Sequence, residues 1–233
     1  MRIALCDYGT GNLHSLRKAL QTHGASVTID DDPARLLEAD AMVLPGVGAF
    51  GAAAARLVSG RAAIVSALEA GFPCLGICLG MQLLFDRSEE SPGQGLGFIP
   101  GRVRHLRAQR VPQMGWNTVE IAASSASDAV EIAATSTRDT GDGRGDGQDD
   151  GTDASAVPDP IFATCGSPTV YYANTYVADP EDNRDVIAWT TYGPDRFAAA
   201  VRRQRTWGVQ FHPEKSSSAG LQILGRWLAE VAR

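Results

Sequence analysis

The chain has 233 residues, 44% hydrophobic and 21% charged, with a formal net charge of -6. That length holds one large α/β domain or two small ones, and the acidic balance sets nucleic-acid binding aside. No apolar stretch reads as a membrane span, and the start "MRIALCDYG" has neither the basic nor the apolar region of a signal peptide.

"RIALCDY" reads as a first strand, broken by "GTGN", after which Asn12 can cap a helix carrying Leu13, Leu16 and Leu20 at helical spacing. "ASVTI" and "AMVLPG" read as the second and third strands, with a short helix opened by Pro33 between them. "RAAIVSALEAG" is helical and stops at Gly71, "PCLGIC" is a fourth strand, and "LGMQLLFDRSEE" reads as the helix behind it. Almost wholly apolar strands alternating with helices predict a mostly parallel central sheet flanked by helices, an α/β fold. After Gly95 the texture changes. "NTVEI", "TVYYANTYVA", "DVIAWTTY", "FAAAVRR" and "TWGVQF" read as an antiparallel extension, closed by a helix over "AGLQILGRWLAEVAR". Residues 122–157 are rich in Ala, Ser, Thr, Asp and Gly and lack aromatics, which predicts a disordered insertion in a single domain spanning 1–233. Its Asp-Gly steps lack the spaced Glu of a calcium loop, so no metal site is expected.

The chemistry concentrates in "GICLGMQLLF", residues 76–85. Glycines two before and two after a cysteine suit a tight strand-to-helix elbow that lifts Cys78 to a helix N-terminus, where thiolate is favoured. Side chains at Gly76 or Gly80 would collide with backbone there. The amide of Leu79 would then face a developing oxyanion. Cys6, Cys74 and Cys165 read as packing, and the four scattered cysteines lack disulfide or zinc spacing, which points to reduced thiols in the cytoplasm. His14 and His23 fall on the first helix and His105 after a basic strand. His212, in "FHPEKSS", stands two residues before Glu214, a spacing that lets a carboxylate orient an imidazole. "LPGVGAF" ends a strand with glycines on both sides of Val47, a loop able to turn backbone N–H groups toward an oxyanion.

"PGVGAF", "GICLGMQLLF" and "FHPEKSS", in this order, resemble the class I (triad) glutamine amidotransferases. "DYGTGN", "PQMGWN" and "EKSS" are most similar to the glutaminase subunits of imidazole glycerol phosphate synthase within that family. The resemblance implies that Cys78 attacks the glutamine side-chain amide, that His212 moves the proton and that Glu214 orients it. It implies an oxyanion hole at Val47, Gly48 and Leu79, and glutamine contacts from Gln82, Asn174, Thr175 and Tyr176. It implies ammonia transfer to a separate (β/α)8 cyclase subunit in a heterodimer, with Asn12, Gln113 and Lys215 toward that partner and no cofactor. Gln113 and Asn174 depart from the family pattern, which often has His at both. A stand-alone cysteine hydrolase, the glutaminase of another amidotransferase and a non-enzymatic binding subunit are the competing readings. The intact Cys78, His212 and Glu214 set weighs against the last.

Overall fold

The computed structural model describes residues 1–9, 13–122, 157–163 and 165–233. Asn12 and all but the two ends of the expected insertion lie outside the described residues. Strand β1 (Arg2–Cys6) leads to helix α1 (His14–Thr22), β2 (Ser26–Asp30), α2 (Pro33–Leu36), β3 (Ala41–Leu44), α3 (Phe50–Leu57), α4 (Arg61–Glu69) and β4 (Cys74–Ile77). Asp32 caps α2 by accepting the Ala34 N–H at 3.0 Å, with Pro33 in the first turn as expected. Gly71 adopts φ +87° just past α4, the left-handed turn that a stop glycine supplies. β1 pairs in parallel with β2 and β3, and β3 with β4. β3 and β4 are buried at every position, because helices cover both sides. Along β1, Ile3 and Leu5 join the core under α1, while Ala4 and Cys6 join the core under α2, α3 and α4.

The remainder runs α5 (Leu79–Gln82), β5 (Arg87–Ser88), β6 (Gly101–His105), β7 (Gln113–Thr118), β8 (Glu120–Ile121), β9 (Thr169–Asn174), β10 (Tyr176–Pro180), β11 (Val186–Tyr192), β12 (Asp195–Arg203), β13 (Thr206–Val209) and α6 (Ser217–Val231). The main sheet has eight strands in the order β2-β1-β3-β4-β13-β12-β11-β8. β13 does not simply extend the antiparallel part. It pairs in parallel with β4 and antiparallel with β12, so it joins the two halves of the sheet. β10-β6-β5 and β7-β9 form two smaller sheets. α6 buries Ile223, Leu224, Trp227 and Leu228, and each such side chain contributes roughly 1.5–3 kcal/mol.

Several elements differ from expectation. The helix expected over 79–90 stops at Gln82. Leu83, Leu84 and Phe85 are fully buried, and their carbonyls accept N–H groups from Leu96, Ile99 and Gly97, so long-range bonds replace the helical ladder. The run "TVYYANTYVA" divides at Thr175, β9 pairing with β7 and β10 with β6. The strand expected at "NTVEI" is broken at buried Val119, whose N–H binds Pro168 O. By length and composition alone Phe50–Glu69 is apolar enough to cross a membrane, contrary to the reading that no stretch is. A turn at Val58–Gly60 interrupts it, and Phe50, Ala53, Ala54, Leu57, Ile64 and Leu68 are buried in the core.

Candidate active site

The C-terminal ends of β4 and β13, adjacent and parallel, bring Cys78 and His212 together from distant parts of the sequence. Cys78 has φ 48° and ψ -105°, a backbone state that costs a non-glycine residue roughly 1–3 kcal/mol. Its N–H is held by Val209 O at 2.7 Å, and its carbonyl accepts from Gln82 N at 3.1 Å. The flanking glycines are there for space, as expected. A Cβ at Gly76 would lie 2.6 Å from Gly80 O, and one at Gly80 would overlap the Leu44 carbonyl. Because α5 is a single turn, its dipole is a weaker aid to the thiolate than the longer helix would have been.

The two glycines around Val47 serve different ends. A Cβ on Gly46 would meet Cys78 Cβ at 2.8 Å and His212 Cε1 at 2.9 Å, so this loop closes directly over the cysteine and the histidine. Gly48 has φ +100°, a conformation that sets the direction of the adjoining peptide and suits glycine. Cys78 itself is only 7% exposed.

His212 is fixed differently. The expected pairing with Glu214 is present, but not through a shared strand face. β13 ends at Val209, and Glu214 lies in a 3-10 turn over Pro213–Lys215 that brings its Oε1 to 2.9 Å from His212 Nδ1. His212 N donates to Tyr171 O at 2.8 Å. Ser216 Oγ donates to His212 O at 2.6 Å and accepts Tyr171 N at 2.9 Å. Burial by itself would lower the His212 pKa, but hydrogen bonding to Cys78 and Glu214, and then their negative charge, outweigh it and raise it to about 10. A protonated imidazole beside a cysteine is placed to pass its proton to a leaving group. Glu214 Oε2 is buried without a hydrogen-bond partner among the described residues, so His212 carries the pairing of this carboxylate.

A chain of amides leads to the sulfur. Gln82 Nε2 donates to Tyr176 O at 3.0 Å and to Gln210 Oε1 at 3.2 Å, and Gln210 Nε2 donates to Cys78 Sγ at 3.5 Å. Both Gln82 hydrogens are thus used inside the protein, which leaves its Oε1 as the atom to offer a ligand. Asn174 Nδ2 donates to the same Tyr176 carbonyl at 3.2 Å. Ala173 O lies 3.9 Å from Cys78 Sγ, which puts the start of the segment Asn174, Thr175 and Tyr176 next to the residue at the sulfur. His105 packs edge-on against Tyr176, with ring centroids 5.3 Å apart.

The residues expected to face a partner separate. Lys215 is exposed, whereas Gln113 is 2% exposed, opposite Asn174 on the inner side of the β7–β9 ribbon. On the other side of that ribbon Met114 (68%) and Trp116 (54%) stand open to solvent. Gln210, Ser216 and the closeness of Gly46 were not foreseen from the sequence. The available signal for Gln210 was its place two residues before His212, on the same side of an extended segment.

A family model described as "Glutamine amidotransferase class-I" matches residues 4–230. The chain is 39% identical over 236 residues to a protein of Gloeobacter violaceus named "Imidazole glycerol phosphate synthase subunit HisH", covering 99% of this chain and 90% of that one. It is 37% identical over 238 residues to the protein of that name from Synechococcus elongatus, covering 99% and 94%. A crystal structure described as a glutamine amidotransferase superposes with a TM-score of 0.66 at 16% identity, over 99% of this chain and 98% of the other. The glutaminase domain of Trypanosoma brucei CTPS with bound acivicin superposes with a TM-score of 0.60 at 19% identity, over 100% and 94%. These two likenesses speak for the fold.

Proposed function

Since the chain belongs to the class I glutamine amidotransferases, we propose that it is the glutaminase subunit of an imidazole glycerol phosphate synthase, feeding ammonia to a separate cyclase. The observation that carries the chemistry is the meeting of Cys78, His212 and Glu214 at the ends of β4 and β13, with Nδ1 and Oε1 2.9 Å apart. Identity of 37–39% across nearly the whole chain to proteins named as that subunit supports the choice within the family.

In this reading Cys78 Sγ attacks the side-chain carbonyl carbon of glutamine, forming the C–S bond while the carbonyl π electrons move to oxygen. The N–H groups of Leu79 and of the Val47–Gly48 loop receive that oxyanion. His212, protonated and held by Glu214, gives its proton to the leaving nitrogen, and the C–N bond breaks to release ammonia and a glutamyl thioester. Neutral His212 then takes a proton from water, whose hydroxide attacks the thioester. Glutamate leaves and the thiolate returns. Gln82 Oε1 and the carbonyl and side-chain groups of Asn174, Thr175 and Tyr176 hold the substrate.

The cyclase is a second polypeptide, a (β/α)8 barrel that forms a heterodimer with this chain and joins the ammonia to its nucleotide in histidine biosynthesis. Exposed Met114, Trp116 and Lys215, beside the site, offer it an apolar patch and one cation. Free cysteines throughout support a cytoplasmic location. The test is steady-state glutaminase kinetics on the chain alone, with cyclase, and with cyclase plus nucleotide. A slow chain accelerated mainly in kcat by the loaded cyclase is expected. Glutamine turnover by the isolated chain equal to that of the complex favours a stand-alone hydrolase.

A further inference from the structure

Gln210 touches the candidate nucleophile, yet the mechanism above gives it nothing to do. Its side chain is fully buried, and its backbone N–H is tied to Ala199 O at 2.9 Å. Both ends of its amide are engaged. Nε2 donates to Cys78 Sγ at 3.5 Å, and Oε1 accepts from Gln82 Nε2 at 3.2 Å. Gln82 has no choice of direction, because its Nε2 also donates to the Tyr176 carbonyl at 3.0 Å, and a carbonyl only accepts. Rotating the Gln210 amide by half a turn would place its oxygen against the sulfur and its NH2 against the NH2 of Gln82. The direction in which Gln210 points its N–H is therefore dictated from Tyr176 through Gln82.

We propose that Gln210 is a positioning residue for the nucleophile: its N–H fixes the Cys78 side chain and stabilises negative charge on Sγ. The proposal rests on Cys78 being the nucleophile of the reaction above. It adds a link between binding and attack. A substrate N–H donated to Gln82 Oε1 polarises that amide, which strengthens its donation to Gln210, which strengthens the donation of Gln210 to sulfur. The occupied site thus holds its thiolate more firmly than the empty one, without any backbone movement.

The experiment measures alkylation of Cys78 by iodoacetamide in the intact chain without glutamine, following the Cys78 peptide by mass so that Cys6, Cys74 and Cys165 do not interfere. Gln210→Met keeps length and volume and removes the N–H. Its alkylation at neutral pH falls about tenfold, the scale of one hydrogen bond to a charged atom, and the pH–rate profile moves to higher pH. Glutaminase kcat falls by the same factor while KM changes little. An unaltered alkylation profile in a folded Gln210→Met protein, or a loss confined to KM, overturns the proposal. Should that variant not fold, Gln210→Asn carries the test. It keeps the amide but draws it back by one methylene, and alkylation as fast as in the parent chain overturns the idea equally. A parent chain that is alkylated at Cys78 but does not hydrolyse glutamine even with the loaded cyclase sinks the proposed function and leaves the role of Gln210 at the sulfur standing.

Discussion

Cys78 sits at φ 48° on an elbow whose glycines have no room for a side chain, whereas His212 sits at an ordinary φ of -101° and is tied by hydrogen bonds to Tyr171, Ser216 and Glu214. One side of the site is held by steric exclusion and backbone strain. The other is held by polar partners in a buried setting. The two therefore tolerate different insults: the elbow is sensitive to added volume, and the base to a lost donor or acceptor.

The largest effect falls on the reacting atom. Cys78→Ala removes the proposed nucleophile, and glutamine hydrolysis is expected to fall by about 10⁴-fold or more, with the melting temperature not lowered. The cyclase supplied with free ammonia should still work alongside it. Glutamine-dependent turnover surviving in this variant would reassign the nucleophile. Next comes the base side. Glu214→Gln keeps shape but removes the charge that orients His212, and kcat should drop about 10²–10⁴-fold with stability little altered.

The pH dependence of stability sharpens the same side. The His212 pKa is raised to about 10 in the folded chain from an ordinary 6.5. Its contribution is fully present below 6.5, because a proton bound more tightly by the folded state favours that state, and it is lost as pH rises toward 10. Urea unfolding across that window should show stability declining with pH, and a shallower decline in Glu214→Gln. A flat profile in the parent chain would contradict the pairing.

The elbow is probed by volume. Gly80→Ala drives a methyl into the Leu44 carbonyl and should cost about 3 kcal/mol or more, whereas an alanine at exposed Gly24 meets no atom within 4 Å and is disfavoured by its φ +82° alone. The smallest change is Ser216→Ala, which removes the hydroxyl linking His212 O to Tyr171 N. About 1–3 kcal/mol of stability should be lost there. Equal costs for Gly80→Ala and Ser216→Ala in chemical denaturation would erase the distinction between the two sides.

The sequence shows the elbow side more clearly than the base side, and the reason is physical. A glycine imposed by backbone crowding is a local signal, readable two residues from the cysteine it serves. The parallel strands announce themselves in the same way, through apolar runs broken by turn residues. The anchors of His212 come from β9 and from Ser216, and nothing in "TVYYANTYVA" marks the bend at Thr175 that parts β9 from β10. No glycine or proline stands there, and the alternation of buried residues breaks at Tyr176 only in the folded chain, with no change in residue type to announce it. The early end of α5 is equally hidden, since Leu83–Phe85 are buried on all sides and carry no periodicity to read. Gln210 carries no mark in the sequence beyond its place two residues before His212, and only the 3.5 Å from its Nε2 to Cys78 Sγ links it to the cysteine.

β13 lies beside β4 in the sheet but far from it along the chain, Gln210 and Cys78 being separated by 132 positions. A ribosome builds the cysteine long before it builds Gln210, His212 and Glu214. A nascent chain that has only reached Ile121 exposes a β4 edge still waiting for its neighbour, and a thiol that has neither its base nor its amide donor. Chemical readiness thus arrives late in synthesis, when β13 slots between β4 and β12 and completes the sheet and the site in one event. Slow closure of so long-range a pairing also makes this step a natural point for kinetic control of folding.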